Sequence, residues 1–317
     1  MIIDGHHLMF RAFYATPPMQ TSKGEHSNMI YGFASMLLNI LAVENPTHIA
    51  LTFDKGKSFR HDEYPEYKAG RSETPEELKS QMPKIYEMVE IMGITQFWTE
   101  GFEADDMIGT LANLSIQEDE EIHAMLISGD KDLLQLVEER ITLAIPHKGS
   151  RAPEYFSPNE VFNKLGITPE QVPDYKGLVG DASDNIKGVK GIGPKGAEKL
   201  LQEYETLENI YKNIENITGS TKTKLEDDEK SAHYSRYLAT IIKNVPVEFS
   251  LEQEKFVGLS PETVEFFQTM EFASLQRRVM NYIQKDKLHT LAHDVFSNTQ
   301  SDTKKEAPKE DNQMSLF

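Results

Sequence analysis

Three apolar segments of this sequence lead directly into aspartates. Asp4 closes MIID, Asp54 closes HIALTFD, and Asp130 follows AMLISG. If the segments are strands of one parallel sheet, their carboxyl ends bring the three acids to the edge where open α/β sheets bind ligands. Converged carboxylates repel one another unless cations hold them, so the pattern predicts cation binding. His6 and His7 are interpreted as capping or packing residues rather than ligands, because hard-ion sites rarely need imidazole.

Further acids extend this set. Asp132 follows Asp130 by two positions, and the segment EADD contributes Glu103, Asp105 and Asp106 after the apolar QFW. Ligation by oxygen alone favours a hard ion such as Mg²⁺ or Mn²⁺. The acids exceed the needs of one ion, and two ions about 4 Å apart would serve phosphoryl-transfer hydrolysis. Any one of them alone would be read as a turn former or helix cap, but independent caps have no reason to share one sheet edge.

The elements that must position these acids alternate between strand-like and helix-like segments along residues 1–150. The segments 28–43 and 76–93 space their apolar residues by three and four positions, which predicts helices, and Gly93 is a helix terminator. Apolar runs predict strands at 1–4, 48–54, 94–98, 122–128 and 141–145. Strands separated by helices of this length predict an α/β domain with a parallel sheet and right-handed crossovers.

From about residue 155 the sequence changes to helices with capping signals. In SPNEVFNKLG, Ser157 is the expected N-cap, Glu160 completes a capping box and Gly166 ends the helix. An all-helical second domain is therefore expected over 155–290. The stretch 297–317 is polar and without apolar periodicity, which predicts a disordered tail.

Composition limits the classes of protein that fit. A chain of 317 residues without cysteine has room for about two domains and excludes disulfides and thiolate metal sites. No membrane span or signal peptide is expected, so an intracellular protein is the default. The net charge of −18 argues against a polyanionic partner unless bound cations and local basic segments offset it.

A glycine-rich segment, GVKGIGPKGAEKLL, provides a second kind of signal. Gly191 and Gly193 allow a tight turn, and the helix that begins after them carries Lys195 and Lys199. Free backbone N–H groups at a helix start beside such a turn bind phosphate without reading the bases. The alternative is an ordinary turn between two helices.

Taken together, the chain resembles the 5′ nuclease domain of bacterial DNA polymerase I in a stand-alone form and, more distantly, the flap endonucleases. The segments that carry the resemblance are DGHHLMFRAFY, SFRHDEYPEYKAGR, GFEADD, GDKDLLQL, LVGDASDN and GVKGIGPKGA. The resemblance implies an α/β fold, a PIN-like parallel-sheet nuclease domain with a helical arch, followed by a helical domain with a helix–hairpin–helix element. The expected bounds are 1–154 for the catalytic domain, about 55–84 for the arch, 155–290 for the helical domain and about 186–201 for the hairpin element. The implied activity is metal-dependent 5′→3′ exonuclease and flap endonuclease cleavage of DNA in replication and repair.

The resemblance also implies roles for individual residues. The first metal site would use Asp4, Asp54, Glu103 and Asp105, with Asp106 alongside. The second metal site would use Asp130, Asp132, Asp181 and Asp184. DNA contacts would come from Phe10, Arg11, Arg60, Lys190, Gly191, Gly193, Lys195 and Lys199. Two Mg²⁺ or Mn²⁺ ions are implied, together with K⁺ at the hairpin.

The basic stretch 55–71 is the candidate for the arch. The resemblance gives Lys68 and Arg71 contact with the scissile phosphate, where cations stabilise the charge of the transition state more than that of the ground state. A solvated charged loop is the alternative. Phe10 also has an alternative interpretation, because a position in the hydrophobic core suits it as well as stacking on a base does.

The last five residues, QMSLF, resemble the peptide that binds the bacterial sliding clamp, with Gln313, Leu316 and Phe317 as anchors. A chance apolar terminus is the alternative for this short match. The expected protein is a monomer in the bacterial cytoplasm, associated with the nucleoid. A PIN-type ribonuclease, a non-catalytic DNA-binding scaffold and a phosphoacceptor signalling domain are rival interpretations, and the last of these has no use for the hairpin.

Overall fold

The computed structural model describes residues 1–147 and 153–284. Within them, six short strands form one sheet in the order β3-β2-β1-β4-β5-β6. The strands are β1 Ile2–Asp4, β2 Ala50–Thr52, β3 Thr95–Phe97, β4 Ala124–Ile127, β5 Ile141–Ile145 and β6 Glu154–Phe156. Pairing is parallel from β3 to β5 and antiparallel between β5 and β6. The predicted parallel sheet is confirmed, although β6 was not predicted, because only one of its three side chains is buried.

Helices surround this sheet. They are α1 Gly5–Ala15, α2 Asn28–Glu44, α3 Phe59–Glu63, α4 Glu76–Lys79, α5 Met82–Ile91, α6 Ala104–Glu118, α7 Pro158–Leu165, α8 Val172–Val179, α9 Pro194–Tyr204, α10 Leu207–Lys212, α11 Gly219–Asp227, α12 Glu229–Ala239 and α13 Pro261–Thr269. Short 3₁₀ turns occur at Asp132–Leu136, Pro169–Gln171 and Ile214–Asn216. Residues 273–284 are also helical.

Both faces of the sheet are buried, as expected for parallel strands. Alternate residues of β1 point to opposite faces: Ile2 joins the core that contains α6 and the helices α7–α12, whereas Ile3 joins the core of α1, α2, α5 and α13. The helical domain therefore packs directly on one face of the sheet through residues such as Leu178. This packing fixes the acidic ends of the strands against the loops of the helical domain.

The expected division of the chain differs from the structure at two points. A boundary at 154/155 runs through β6, which belongs to the sheet because it pairs with β5. The helix α13 was expected in the helical domain, but Phe266 and Phe267 pack in the core of α1, α2 and α5. The Ser260 hydroxyl donates to the carbonyl of Ile91 at 3.0 Å and fixes the start of α13 beside α5.

The capping predictions explain where two helices end. Ser157 and Glu160 form the expected capping box, and Gly166 adopts the left-handed conformation that ends α7. The helix predicted over 76–93 is interrupted between α4 and α5, where Pro83 has no N–H to donate to the carbonyl of Lys79. The buried Gln81 lies in this break and turns its side chain to the start of α2. Its Oε1 accepts from the Met29 N–H at 2.8 Å, satisfying a backbone donor that has no partner within α2.

Among the described residues, no helix is both long enough and apolar enough to cross a membrane.

Candidate metal and DNA site

Four carboxylates stand at the carboxyl edge of the sheet, and we call Asp4, Asp54, Asp105 and Asp130 the sheet-edge cluster. Asp4 caps α1, since its Oδ1 accepts from the His7 N–H at 2.8 Å. Its other oxygen accepts from the Ser128 hydroxyl at 2.8 Å. Burial, with repulsion from Asp54 and Asp130, raises the pKa of Asp4 to about 7.

Asp54 and Asp130 are held by backbone contacts. The Ala104 N–H donates to Asp54 Oδ1 at 2.8 Å, which ties the end of β2 to the start of α6. Burial raises the pKa of Asp105 well above its ordinary range, and repulsion from Asp130 and Asp4 adds to the effect. The structure therefore brings the four predicted carboxylates into mutual electrostatic contact.

The two histidines support this edge rather than adding to the acids. The Nδ1 of His6 accepts from the backbone N–H of Asp54 at 2.9 Å. The ring of His7 lies so close to Gly129 that a Cβ there would be 2.3 Å from it. Only glycine permits this approach, which sets the turn that leads into Asp130.

A second group, the arch cluster, joins the segment 64–71 to both domains through Tyr67, Lys68, Arg71, Glu103 and Asp184. The Lys68 ammonium is 2.8 Å from Glu103 Oε1 and 3.8 Å from Asp184 Oδ2. The Tyr67 hydroxyl lies 3.0 Å from Glu103 and 3.1 Å from Asp184. Arg71 donates to Asp184 at 2.7 Å, although 54% of its side chain is exposed.

The backbone fixes the position of Lys68. Its φ of 57° lies in the left-handed region, and its N–H donates to the carbonyl of Asp184 at 3.0 Å. Burial lowers the pKa of Lys68, but the carboxylates of Glu103 and Asp184 outweigh that effect and raise it. Lys68 therefore stays charged at neutral pH.

A third group, the junction cluster, consists of Asp132, Asp181 and Lys176. The ammonium of Lys176 is 2.6 Å from Asp132 Oδ1 and hydrogen-bonds Asp181 Oδ2. Burial and the charge of Asp130 raise the pKa of Asp132 to about 6. For Asp181, burial is outweighed by hydrogen bonds from Lys176 and Ser183, so its pKa lies below the ordinary value.

Arg60 and Asp106 form a buried pair, which corrects two predictions. Arg60 is only 2% exposed and donates to both oxygens of Asp106, at 2.7 and 2.9 Å. It also donates to the carbonyls of Leu238 and Thr240. The expected DNA contact by Arg60 is therefore wrong for this structure, and the Asp106 carboxylate is occupied as a structural anchor rather than free for a metal.

Divalent cations fit the remaining acids chemically. Within 1–147 and 153–284, no three carboxylates or imidazoles lie close enough together to enclose one metal ion. The ammonium groups of Lys68 and Lys176 lie beside several of these acids instead. The donors are nevertheless all oxygen, and a cation would relieve the repulsion that raises the pKa of Asp4 and Asp105.

Two predicted DNA contacts near α1 are placed less favourably. Phe10 is half-buried and packs against the core of α1 and α2. Arg11 donates to the carbonyls of Pro146 and His147 at the end of β5. The packing of Phe10 corresponds to the core alternative noted from the sequence.

The hairpin element forms an open groove of about 790 Å³ whose walls come from the hairpin, α9 and α11. Gly191 has a φ of 83°, which a side chain would disfavour, and α9 begins directly after Gly193. Lys195 and Lys199 line the groove, and both are exposed. Lys224 donates to the carbonyl of Gly191 at 2.9 Å and so adds a third cation to the groove.

The predicted Lys190 lies at the rim of this element. Its side chain is exposed, and its backbone N–H donates to Asp228 at 2.8 Å. The residues predicted for clamp binding, Gln313, Leu316 and Phe317, lie outside the described residues.

Sequence reasoning missed two residues that contact the site. Tyr67 bridges Glu103 and Asp184, and Lys176 bridges the two aspartates of the junction cluster. Neither belongs to an acidic motif. Lys176 precedes Asp181 by five residues, but this spacing indicates a contact only when it is known that both residues lie at the same end of α8.

Comparison with known proteins gives a consistent result along the chain. Residues 1–166 match the family described as 5′-3′ exonuclease, N-terminal resolvase-like domain. Residues 167–262 match the family described as 5′-3′ exonuclease, C-terminal SAM fold. DNA polymerase I of Bacillus subtilis is 42% identical over 282 residues, and that of Bacillus caldotenax is 43% identical over 282 residues. Both alignments cover 88% of this chain, which spans about a third, 32%, of each relative.

Solved structures share the fold. A phage T5 5′-exonuclease with divalent zinc ions bound aligns with a TM-score of 0.61 and 21% identity, covering 90% of this chain and 98% of that one. The catalytic core of Rad2 in complex with DNA substrate aligns with a TM-score of 0.59 and 16% identity, covering 90% and 91%. At these identities the likeness establishes the architecture alone.

Proposed function

The chain belongs to the 5′-3′ exonuclease family, and from this premise we propose that it is a metal-dependent, structure-specific 5′ nuclease that cuts DNA at 5′ ends and flaps. The observation that carries the proposal is the placement of acids from separate chain segments around one edge of the sheet. The sheet-edge cluster comes from β1, β2, α6 and the turn after β4, while Asp181 and Asp184 come from the helical domain. A PIN-type ribonuclease remains the nearest alternative, because it would share the acids.

Each set of acids suits one cation. We propose that Asp4, Asp54 and Asp105 hold one divalent ion, with Glu103 beside it. Asp130, which the resemblance assigns to the second site, is moved to the first in this proposal, because its charge adds to the repulsion that raises the pKa of Asp4 and Asp105. Asp132, Asp181 and Asp184 would hold the other. When bound, the two ions would supply water activation and stabilisation of the leaving oxygen. Mg²⁺ is proposed as the ion in the cell and Mn²⁺ as its substitute, on the preference of hard ions for carboxylate oxygen.

The residues of the arch cluster would act on the phosphate itself. Cleavage forms a bond between the water oxygen and phosphorus and breaks the bond from phosphorus to the 3′ oxygen, leaving a 5′ phosphate and a 3′ hydroxyl. Lys68 is charged and lies beside Glu103, where its ammonium can stabilise charge that develops on the phosphate. The exposed Arg71 can leave Asp184 to pair with a non-bridging oxygen. Tyr67 would position both carboxylates.

The hairpin element would hold the duplex by its backbone. The backbone of Gly193 and Lys195 at the start of α9 and the side chains of Lys195, Lys199 and Lys224 line one groove. Such contacts recognise phosphate and carry no information about sequence. Recognition of DNA shape is therefore proposed, and affinity should fall steeply with salt.

K⁺ at the hairpin is also part of the proposal, although the carbonyls there already accept hydrogen bonds. The Gly191 carbonyl already accepts from Lys224, and the Gly193 carbonyl accepts from the N–H groups of Gly196 and Ala197. K⁺ would have to share these oxygens. Equal DNA affinity in KCl and NaCl at one ionic strength would remove K⁺ from the proposal.

The oligomeric state and the partner are proposed on the sequence, and the division of the chain on the packing of β6 and α13. We propose a monomer with a catalytic unit that includes β6 and a helical DNA-binding unit that ends before α13. The C-terminal peptide 313–317 is proposed to bind a sliding clamp. If a chain ending at residue 312 binds a bacterial clamp as well as the full chain does, that proposal is wrong.

The test of the function is cleavage of end-labelled flap, nicked and single-stranded substrates, in DNA and RNA, with Mg²⁺ or with EDTA. DNA flaps should be cut only with the metal, and Asp130→Asn should abolish cutting. Asp119→Asn is the matched control, because Asp119 is exposed near the opposite end of β4. Cutting of RNA alone would favour the ribonuclease, and metal-saturated cutting by Asp130→Asn at the wild-type rate would contradict the assignment.

A further inference from the structure

The junction cluster contains a cation of its own. Lys176 projects from α8 between Asp132 and Asp181, and the exposed fractions of the three side chains are 17%, 17% and 12%. The ammonium is 2.6 Å from Asp132 Oδ1 and hydrogen-bonds Asp181 Oδ2. A largely buried ammonium between two carboxylates occupies the place where a metal ion would bind the same oxygens.

The cluster leaves little room to accommodate both cations. The other oxygen of Asp181 accepts from the Ser183 N–H at 2.7 Å and from the Ser183 hydroxyl at 2.6 Å. An ion bound by Asp181 would therefore need the Oδ2 atom that Lys176 already holds. Two like charges a few ångströms apart in a partly buried site repel strongly. Binding of a divalent ion there must displace the ammonium.

We propose that Lys176 is the resident counter-ion of Asp132 and Asp181, which holds this acid pair together in the metal-free protein and weakens its binding of divalent ions. Lys176 is thus a positioning residue of the site. The inference deepens the proposed function, on which it rests for the assignment of the two aspartates as ligands. The inference also distinguishes the affinities of the two cation positions. Among the contacts of the described residues, no lysine joins two carboxylates of the sheet-edge cluster, so the ion bound there should bind more tightly than the ion at the junction cluster.

Lys222 provides a matched control. It also pairs with two carboxylates, Glu215 at 2.7 Å and Glu226 at 3.7 Å, but lies on α11 away from the acids of the site. The variants Lys176→Met and Lys222→Met each lose a lysine that pairs with two carboxylates, but only Lys176→Met removes the cation from the junction cluster.

The experiment is titration of the full chain with Mn²⁺, without DNA, followed by calorimetry and by the electron paramagnetic resonance signal of free Mn²⁺. The wild type should show one tighter and one weaker ion. Lys176→Met should tighten the weaker ion by tenfold or more, whereas Lys222→Met should leave both unchanged. Lys176→Arg keeps the charge and should keep the weaker ion weak.

Thermal melting tests whether the Lys176→Met variant still folds. In EDTA, Lys176→Met should melt at a lower temperature than the wild type, because two buried carboxylates lose their cation. Mn²⁺ should raise the melting temperature of Lys176→Met by more than it raises that of the wild type. Wild-type Mn²⁺ affinities in Lys176→Met would overturn the proposal, as would equal tightening in Lys176→Arg or a defect that Mn²⁺ does not repair. Because these measurements use no DNA, they are independent of the flap assay, which can fail while the counter-ion role stands.

Discussion

Asp105 and Asp106 are neighbours on α6, and their conversion to asparagine should have opposite effects on stability. Asp106 is fully buried and accepts two hydrogen bonds from the guanidinium of Arg60. It also accepts from the N–H of Ile242, so it joins α6 to the chain beyond α12. Removing one partner of a buried ion pair costs about 3–5 kcal/mol. Asp106→Asn should lower the free energy of unfolding by that amount.

Asp105 is expected to behave in the other direction. Burial and the charges of Asp130 and Asp4 raise its pKa, which means that its ionised form destabilises the metal-free fold. Each unit by which a pKa is raised corresponds to about 1.4 kcal/mol. Asp105→Asn keeps the shape and removes the charge, so unfolding in EDTA at pH 7.5 should cost as much free energy as in the wild type, or more.

Urea unfolding in EDTA and in Mn²⁺ distinguishes the two roles. Mn²⁺ should stabilise the wild type strongly and Asp105→Asn only weakly, since this variant lacks a ligand. Asp119→Asn serves as the surface control. If Asp105→Asn and Asp106→Asn lower the free energy of unfolding in EDTA by the same amount, the assignment of Asp105 as a ligand and Asp106 as a structural anchor is refuted.

Three further outcomes follow from the same contacts. Burial raises the pKa of Asp4 to about 7, so the folded chain keeps a proton that the unfolded chain releases near pH 4, and the stability that this proton gives at low pH is lost as the pH rises to about 7. The metal-free unfolding free energy of Asp4→Asn should therefore fall less steeply with pH than that of the wild type, although Asp105 and Asp132 keep their own contributions, and an unchanged slope would contradict the assignment. Lys68→Ala should reduce turnover by two orders of magnitude or more while flap affinity falls only slightly, and equal losses in single-turnover rate and affinity would indicate a positioning role. Lys195→Ala and Lys199→Ala should each reduce the slope of log affinity against log salt by about 1 without changing sequence preference, a result that fluorescence anisotropy can contradict directly.

The sheet and its acids could be predicted because both depend on local patterns. Short apolar runs that end on Asp4, Asp54 and Asp130 predict strands and strand-end carboxylates without knowledge of distant contacts. The capping box at Ser157 is equally local, since its partner is Glu160 three residues away. These predictions needed only periodicity, turn chemistry and the geometry of parallel sheets.

The errors came from long-range partners. Arg60 is a basic residue in a basic segment, and only the fold shows that it is buried against Asp106, 46 residues later. Lys176 sits on a helix with no acidic motif, and its role depends on the meeting of Asp132 with the helical domain. Gln81 likewise has a distant partner, the Met29 N–H at the start of α2, although the break in the predicted helix is local and follows from Pro83. Burial of a charged side chain needs a partner from elsewhere in the chain, and sequence periodicity does not identify that partner.

The most direct measurement is the anomalous scattering of a crystal soaked in Mn²⁺. Two peaks should appear at the carboxyl edge of the sheet, one among Asp4, Asp54, Asp105 and Asp130 and a weaker one beside Asp132 and Asp181 with Lys176 turned away. An edge without anomalous peaks at saturating Mn²⁺ would contradict the account, because the acids would then have no cation to hold.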